Sequence, residues 1–362
     1  MSALTNEFHY QGRLQGRQIR LLEILPCKLT SIGDTSTLEI RLFRQILDYA
    51  SFHALSYVWR DLGGKCSVMC NGRPLTIGNT LREVLRKYRR GEVGALLWAD
   101  AICINQEDDA EKTQQARMMR EIYSRTTRTI IWLGLSRQYD FAGIAMLSNL
   151  YVRCSGAKYD ASTHAPPPFD HVALDMPDPE RSPIWESLFE ILWHPWFTRV
   201  CIVQKLLGSK EPVMWRGELE VNAEQVLWLA QQTKIYDNLR QSLHIVKHTS
   251  RLSGQWAYQV SAQYFLHRQH GLLALSERLI LNSAVEATDP RDRYFALAGI
   301  SHNVHHGFVD YRRSLKEMAC EVGLITLFSR GPGGFNGLDW LAMSDAGADA
   351  EASTPGKFGN AS

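Results

Sequence analysis

The chain has 362 residues and a mass of 41.2 kDa, which allows one large domain or about two of ordinary size. Hydrophobic residues make up 45% of it and charged residues 22%, a balance that excludes a wholly disordered chain. The 40 Lys and Arg against 38 Asp and Glu leave a formal charge of +2. This small excess provides no general attraction to nucleic acid or to an anionic membrane.

Cysteine usage and hydropathy indicate the compartment. The seven cysteines are odd in number and widely spaced, and the closest pair, Cys66 and Cys70, has no second Cys or His pair near it. The N-terminus lacks an apolar segment of signal-peptide length, and apolar runs such as Ile130–Leu133 are far shorter than a membrane span. The sequence therefore predicts a reduced, cytoplasmic protein with no structural metal and no membrane span.

The N-terminal part of the chain predicts strands followed by a hairpin. Three apolar or alternating segments are typical of strands: Ile19–Leu25, Leu38–Phe43 and Ala54–Trp59. Further on, Asn71-Gly72 stands between two short apolar segments, as in a hairpin with a tight primed turn. Pro74 predicts an edge strand for the second arm, and Asn79 is expected to cap the helix that follows.

The clearest unit is a strand, a helix and a second strand. Leu96–Ile104 (LLWADAICI) is apolar on both faces, which predicts a buried parallel strand. Asp108 and Glu111 have the spacing of a capping box at the start of a helix that extends to about Arg125. Thr129–Leu133 is the next strand, and a right-handed crossover places the two strands parallel in one sheet.

The remainder of the chain is predicted to be mostly helical, with one further hairpin over Pro212–Val221. Helices are predicted over Tyr139–Arg153, Pro183–Leu192, Asn222 to about Tyr236, Leu272–Leu281, Asp289–Gly299 and Ser314–Phe328. The proline-rich stretch Ser155–Pro183 is predicted to be a long surface loop. The small polar residues from Ser344 onwards predict a frayed tail.

Asp100 is the first candidate for a functional carboxylate, because burying it in an apolar strand costs free energy unless it is hydrogen-bonded or exposed. Ligands of parallel sheets bind beyond the carboxyl ends of strands, so the segment from Asp100 to Gln106 is a candidate pocket wall. The alternative interpretation, which the sequence favours equally, is a structural role in which Asp100 caps a neighbouring loop or pairs with an arginine. Arg199, in an apolar segment, needs a carboxylate or phosphate partner, and Asp100 is one candidate. The sequence contains no nucleophile elbow, Walker loop, zincin motif or dinucleotide-binding motif.

Several segments resemble the heterokaryon incompatibility (HET) domain of filamentous fungi. They are ALSYVWRD (Ala54–Asp61), CNGRPLTIGNTLREVL (Cys70–Leu85), LLWADAICINQEDDAEKTQQARMMREIYSRTTRTIIWLG (Leu96–Gly134), HPWFTRVCIVQK (His194–Lys205) and ATDPRDRYFALAGI (Ala287–Ile300). Proteins of this family act in self/non-self recognition after hyphal fusion, where an incompatible encounter triggers programmed cell death.

The resemblance also implies a fold and an arrangement of domains. HET domains are thought to be distantly similar to TIR domains, so it predicts an α/β fold, a mainly parallel sheet flanked by helices with a TIR-like or flavodoxin-like core. It divides the chain into N-terminal strands packing on the core (1–51), the HET domain (52–207), a hairpin with a mostly helical C-terminal region (208–343) and a flexible tail (344–362).

Some TIR domains cleave NAD at the nicotinamide–ribose bond, a glycoside cleavage that needs a carboxylate near the ribose. If this chain has such activity, the resemblance makes Asp100 and Glu111 its candidate catalytic residues. The candidate ligand-binding residues are Ser56, Tyr57, Trp59, Asn105, Gln106, Arg199 and Gln204.

This chain departs from the family pattern at three positions. The Glu of the family's Gln-Glu pair is Lys205, the Trp of the same segment is Cys201, and the Gly after SYVW is Arg60. A cation at position 205 would oppose a developing oxocarbenium ion.

We therefore favour a signalling module that acts through self-association or a protein partner, without cofactor or nucleic acid. The alternatives are an enzyme that cleaves NAD(P) or another nucleotide, with NAD as substrate, and a non-catalytic accessory protein of a fungal biosynthetic pathway.

Overall fold

The structure is a computed structural model that describes residues 7–26, 38–59, 64–91, 94–155, 169–235, 253–282, 286–287 and 289–329. Three predictions lie partly or wholly outside these residues. They concern Arg60, the proline-rich part of the predicted loop before Phe169, and the tail from Ser344.

The described residues contain one sheet with the strand order β5-β4-β2-β1-β6-β3-β7-β8-β9. The strands are β1 Gln18–Ile24, β2 Glu39–Ile46, β3 His53–Ser56, β4 Lys65–Cys70, β5 Arg73–Gly78, β6 Leu97–Trp98, β7 Arg128–Trp132, β8 Pro212–Arg216 and β9 Leu219–Asn222. Strands β6, β3, β7 and β8 are parallel to one another, whereas β1 is antiparallel to both of its neighbours and each hairpin is antiparallel. The prediction of a mainly parallel sheet is therefore wrong: the sheet is mixed, because the interior strand β1 and the hairpins at both edges pair antiparallel.

The fold class is α/β, as predicted. The helices include one at each predicted position and three that were not individually predicted, which begin at Asp100, Cys201 and Ser253. They are α1 Asn79–Gly91, α2 Asp100–Cys103, α3 Asp109–Arg125, α4 Asp140–Cys154, α5 Pro183–Leu192, α6 Cys201–Gly208, α7 Ala223–Ile235, α8 Ser253–His270, α9 Leu275–Leu281, α10 Asp292–Ala298 and α11 Leu315–Ser329. Within the described ranges, no helix combines the length and the apolar character that crossing a membrane requires.

The first hairpin forms for the reasons that its sequence gives. Asn71 and Gly72 have φ of 50° and 77°, the left-handed conformation that a tight primed turn demands at both positions. The Asn71 side chain accepts a hydrogen bond from the Leu42 amide and donates one to the Leu42 carbonyl, both at 2.9 Å. Strand β5, which contains Pro74, lies at the edge of the sheet, as predicted.

Leu96–Ile104 is not one continuous strand, which corrects the prediction. Only Leu97 and Trp98 pair as β6, and the amides of Ile102 and Cys103 then donate to the Ala99 carbonyl at 3.0 and 2.7 Å to close a helical turn. Ile102 and Cys103 remain buried in this turn. The apolar run correctly predicted that this segment is buried, but an apolar run alone does not distinguish a strand from a buried helical turn. The strand predicted to end at Trp59 likewise ends at Ser56.

Apolar cores lie on both faces of the sheet. Along β7, Ile130 and Trp132 belong to one buried cluster, which includes the N-terminal strands and α1. Ile131 belongs to a second cluster, which includes the inward faces of α4 to α7 and of the C-terminal helices. Because neighbouring strand residues point to opposite faces, this alternation places the central strands between two layers.

Candidate functional site

A cavity of about 250 Å³ lies beyond the carboxyl ends of β3 and β6. Trp59 and Asp100, which follow these two strands closely, form part of its wall. The cavity is lined by Trp59, Asp100, Ile104, Gln106, Lys112, Ala116, Met119, Arg199, Cys201, Gln204, Lys205, Asp289, Asp292, Phe295, Ala296 and Tyr311. In open α/β sheets this edge is the usual position of a ligand, because strand ends and loops leave a crevice there.

The Asp100 carboxylate forms a buried ion pair with Lys205, its Oδ2 lying 2.6 Å from Nζ. Its Oδ1 accepts hydrogen bonds from Trp59 Nε1 at 3.1 Å and from the Ala101 amide at 3.0 Å. The prediction that Asp100 pairs with Arg199 is therefore wrong. Lys205 projects from α6 and is only 3% exposed, so it cannot reach water instead.

The protonated form of Lys205 is favoured despite its burial. Burial by itself lowers the pKa of the ammonium group, but the adjacent Asp100 carboxylate outweighs this effect and holds the pKa above its ordinary value. Lys205 Nζ also lies 5.7 Å from the centre of the Tyr123 ring. The two charges at the base of the cavity thus neutralise each other.

Gln204 presents a hydrogen-bond donor that no described residue uses. The side chain is 4% exposed, and its Nε2 has no hydrogen-bond partner within the described residues. A Cβ at Gly299, beyond the end of α10, would lie only 2.1 Å from this nitrogen. Buried donors are normally satisfied, so this unused Nε2 of a cavity-lining residue is unusual.

We expect Gly299→Ala to displace the Gln204 amide and to lower the free energy of unfolding by about 1–3 kcal/mol, the usual cost of overpacking. Gly299 has an ordinary helical φ of −62°, so the effect is steric and not conformational. Urea denaturation of the variant measures it. The double variant Gly299→Ala with Gln204→Ser should recover most of the loss, and no recovery would contradict the contact.

Asp292 is a cavity residue that the sequence analysis did not select. Tyr311 donates its hydroxyl hydrogen to Asp292 Oδ1 at 2.5 Å, and the Tyr311 amide donates to Thr113 Oγ1 at 3.0 Å. Burial raises the pKa of the Asp292 carboxyl above its ordinary value, although the Tyr311 hydrogen bond acts in the opposite direction. Lys112 Nζ lies 4.6 Å from the centre of the Tyr311 ring. Asp292 lies in the segment ATDPRDRY, whose resemblance to the HET family was the one indication in the sequence that it is functional.

The structure brings some of the predicted site residues together and places the others elsewhere. The predicted residues that line the cavity are Trp59, Asp100, Gln106, Arg199 and Gln204. Of the others, Ser56 accepts a hydrogen bond from Trp196 Nε1 at 2.9 Å, and the Tyr57 side chain is part of the buried core. Asn105 Oδ1 accepts from the Glu107 amide at 3.2 Å.

Glu111 lies behind the cavity in a buried ion pair with Arg20. It also accepts hydrogen bonds from the Asn105 amide at 2.7 Å and the Leu14 amide at 3.2 Å. The predicted capping box is therefore only half formed: Asp108 accepts from the Ala110 and Glu111 amides, but the Glu111 carboxylate binds elsewhere. Burial by itself raises the pKa of Glu111, yet these hydrogen bonds, led by the one from Arg20, hold it below its ordinary value.

Among the described residues, no group of three or more His, Cys, Asp or Glu side chains is placed to hold a metal ion. The cavity therefore offers a ligand hydrogen bonds, ion pairs and apolar contact from protein side chains.

Comparison with known families gives a match that includes most of this cavity. Residues 52–205 match the family described as heterokaryon incompatibility protein (HET). Residues 52–205 therefore form a HET domain. The match begins just before β3 and ends at Lys205, so five of the lining residues lie beyond it: Asp289, Asp292, Phe295, Ala296 and Tyr311. The HET domain thus forms most of the cavity, and a later part of the chain completes it.

A relative in Neurospora crassa, heterokaryon incompatibility protein 6, OR allele, is 40% identical to this chain over 97 residues. The alignment covers 23% of this chain and 14% of the relative. No solved structure matches the chain, and a TIR-like core stays a prediction. The family and this relative both carry the description heterokaryon incompatibility protein.

Proposed function

We propose that this HET protein is a cytoplasmic signalling factor in fungal self/non-self recognition and that its output is programmed cell death. It acts by associating with itself or with a protein partner. Exposed apolar side chains at the start of α4 support association: Leu135 and Phe141 are 61% and 72% exposed, and Tyr139 lies between them in the chain.

In this proposal the cavity binds its ligand without cleaving it. The observation that carries this point is the buried Asp100–Lys205 ion pair. By the family resemblance, Lys205 replaces the Glu of the Gln-Glu pair, and its ammonium group pairs with the nearby Asp100 carboxylate. An oxocarbenium ion beside this neutralised pair would gain little electrostatic stabilisation.

Induced expression in a filamentous fungus, followed by counting viable cells, tests this function. Wild-type protein should reduce viability, and Gln204→Ala should abolish the effect because it removes an amide group from the wall of the cavity. Gln45→Ala is the matched control, since Gln45 is a half-buried glutamine on β2 outside the cavity. Unchanged viability with the wild type, or full killing by Gln204→Ala, would contradict the proposal.

A second candidate function, cleavage of NAD or a related nucleotide, is favoured by Asp292. Asp292 lines the cavity, and burial raises the pKa of its carboxyl above the ordinary value, which makes the carboxylate a better acceptor for a proton from an attacking water. In this reaction the bond between nicotinamide and the ribose C1 breaks, and neutral nicotinamide leaves with the bonding electrons. Water then adds to C1 as its proton passes to Asp292. Release of nicotinamide by the purified protein, lost in Asp292→Asn with folding retained, would support the enzyme; no release would exclude it.

A further inference from the structure

A second cavity, of about 520 Å³, lies on another part of the molecule and shares no lining residue with the first. It opens between the N-terminal segment and strands β2 and β5. Its polar wall contains Arg20, Arg44 and Arg73 with a histidine, and no aspartate or glutamate lines it. We call it the arginine groove. For a chain with a formal charge of only +2, three arginines around one cavity are a local concentration of positive charge.

Main-chain and side-chain hydrogen bonds hold both walls of the arginine groove in place. On one side, the Phe8 amide donates to the Pro74 carbonyl at 2.9 Å, and the Tyr10 hydroxyl donates to the Ile102 carbonyl at 2.9 Å. On the other side, the paired hydrogen bonds between Asn71 and Leu42 fix the hairpin turn against β2. The groove is therefore an ordered feature and not a gap between loose segments.

The charges in the groove are only partly neutralised. Arg20 is buried and paired with Glu111 behind the wall. Arg44 and Arg73 are exposed, and neither guanidinium group forms a hydrogen bond or an ion pair with the part of the chain that the structure describes. Arg20 Nη2 donates to the Gly12 carbonyl at 3.1 Å, and a Cβ at Gly12 would lie 2.9 Å from Arg44 Nη2, so two guanidinium groups approach the same residue. Because Glu111 already balances the charge of Arg20, the unpaired charges of the groove are those of Arg44 and Arg73.

Aromatic side chains complete the chemistry. Phe8 and Phe43 are half-buried at the wall of the groove, and Phe8 meets Tyr10 edge to face at 5.2 Å between ring centres. Such rings offer a surface on which a planar group packs, and guanidinium groups bind phosphate in a bidentate manner. The volume also lies within the range of ordinary small-molecule sites.

We propose that the arginine groove binds a nucleoside phosphate, with the phosphates held by Arg44 and Arg73 and the base packed against Phe8 and Phe43. This site is separate from the first cavity, which contains Asp100 and Gln204 in its wall and which we call the HET cavity. The proposal for the arginine groove does not depend on the function proposed for the HET cavity. Inorganic phosphate alone would bind the two arginines but would not contact the aromatic rings. The contributions of the phosphates and of the base to binding can therefore be tested separately.

Isothermal titration calorimetry of the full chain with ATP tests the proposal, with adenosine and pyrophosphate as partial probes. ATP should bind at one site, more tightly than either partial probe. Arg44→Gln and Arg73→Gln should each weaken ATP binding about tenfold or more, because each removes charge-assisted hydrogen bonds to phosphate. Arg41→Gln is the matched control: Arg41 is exposed on the same strand, but it pairs with Glu23 and lies outside the groove.

Three outcomes would overturn the proposal: no ATP binding, ATP binding unchanged in both arginine variants, or ATP binding lost in Gln204→Ala, which would place the ligand in the HET cavity. Pyrophosphate that binds as tightly as ATP would overturn the role of the rings. Thermal unfolding of each variant establishes that it is folded.

Discussion

Replacing Lys205 by methionine is expected to lower the free energy of unfolding by about 3 kcal/mol. The substitution keeps most of the side-chain volume in α6 but leaves the Asp100 carboxylate with only the Trp59 and Ala101 donors. Removing one partner of a buried ion pair costs about 3–5 kcal/mol, and we expect the lower value because Asp100 borders the cavity. Urea denaturation at pH 7 measures the loss.

The double variant Asp100→Leu with Lys205→Met is the informative control. Replacing both charges by apolar side chains removes the uncompensated carboxylate, so this variant should be more stable than Lys205→Met alone. Losses that simply add in the double variant would contradict a direct ion pair between the two residues.

Glu111→Gln is expected to cost about 3–5 kcal/mol, because it leaves the buried Arg20 guanidinium without its counter-charge. Because glutamine has nearly the same shape as glutamate, the loss of stability measures the removal of the charge and not a change in packing. Glu121→Gln is the matched control: it lies on the same helix and also pairs with an arginine, but it is exposed. There we expect a loss under about 1 kcal/mol.

The same pair makes a prediction about pH. The folded-state pKa of Glu111 is below its unfolded value of about 4.5, so the stability that its charge provides is fully present above that value. This stability is lost as the pH falls through the lower, folded-state pKa. The free energy of unfolding should therefore fall more steeply with acid in the wild type than in Glu111→Gln. Parallel curves between pH 7 and pH 3 would contradict the role of Glu111.

Local signals in the sequence were sufficient for most elements of the fold. The Asn71-Gly72 turn, the Asp108 cap and the helix α5 each depend on a few neighbouring residues, and each forms as predicted. The sheet was harder to predict, because strand order and direction depend on pairing between distant segments. Strand β1 lies antiparallel between β2 and β6, a choice that no local pattern in Ile19–Leu25 specifies.

The candidate site shows the same division. Asp100 and Gln204 could be selected from the sequence, because a polar residue inside an apolar segment must have a special environment. The partner of Asp100 could not, since Arg199 and Lys205 are both cations of the same segment and only the direction of α6 decides between them. Asp292 and Tyr311 reach the cavity from almost the other end of the chain. Their contribution depends on packing that no sequence spacing expresses.

The central claim is that the HET cavity serves signalling by binding and not by cleavage of NAD. The most direct test is to measure cellular NAD and viability together during the first hours after induced expression of the wild-type protein. Our account predicts that viability falls while NAD per living cell stays at the level of uninduced cells. A fall in NAD that precedes the loss of viability, and that Asp292→Asn prevents, would contradict it and make the protein an enzyme.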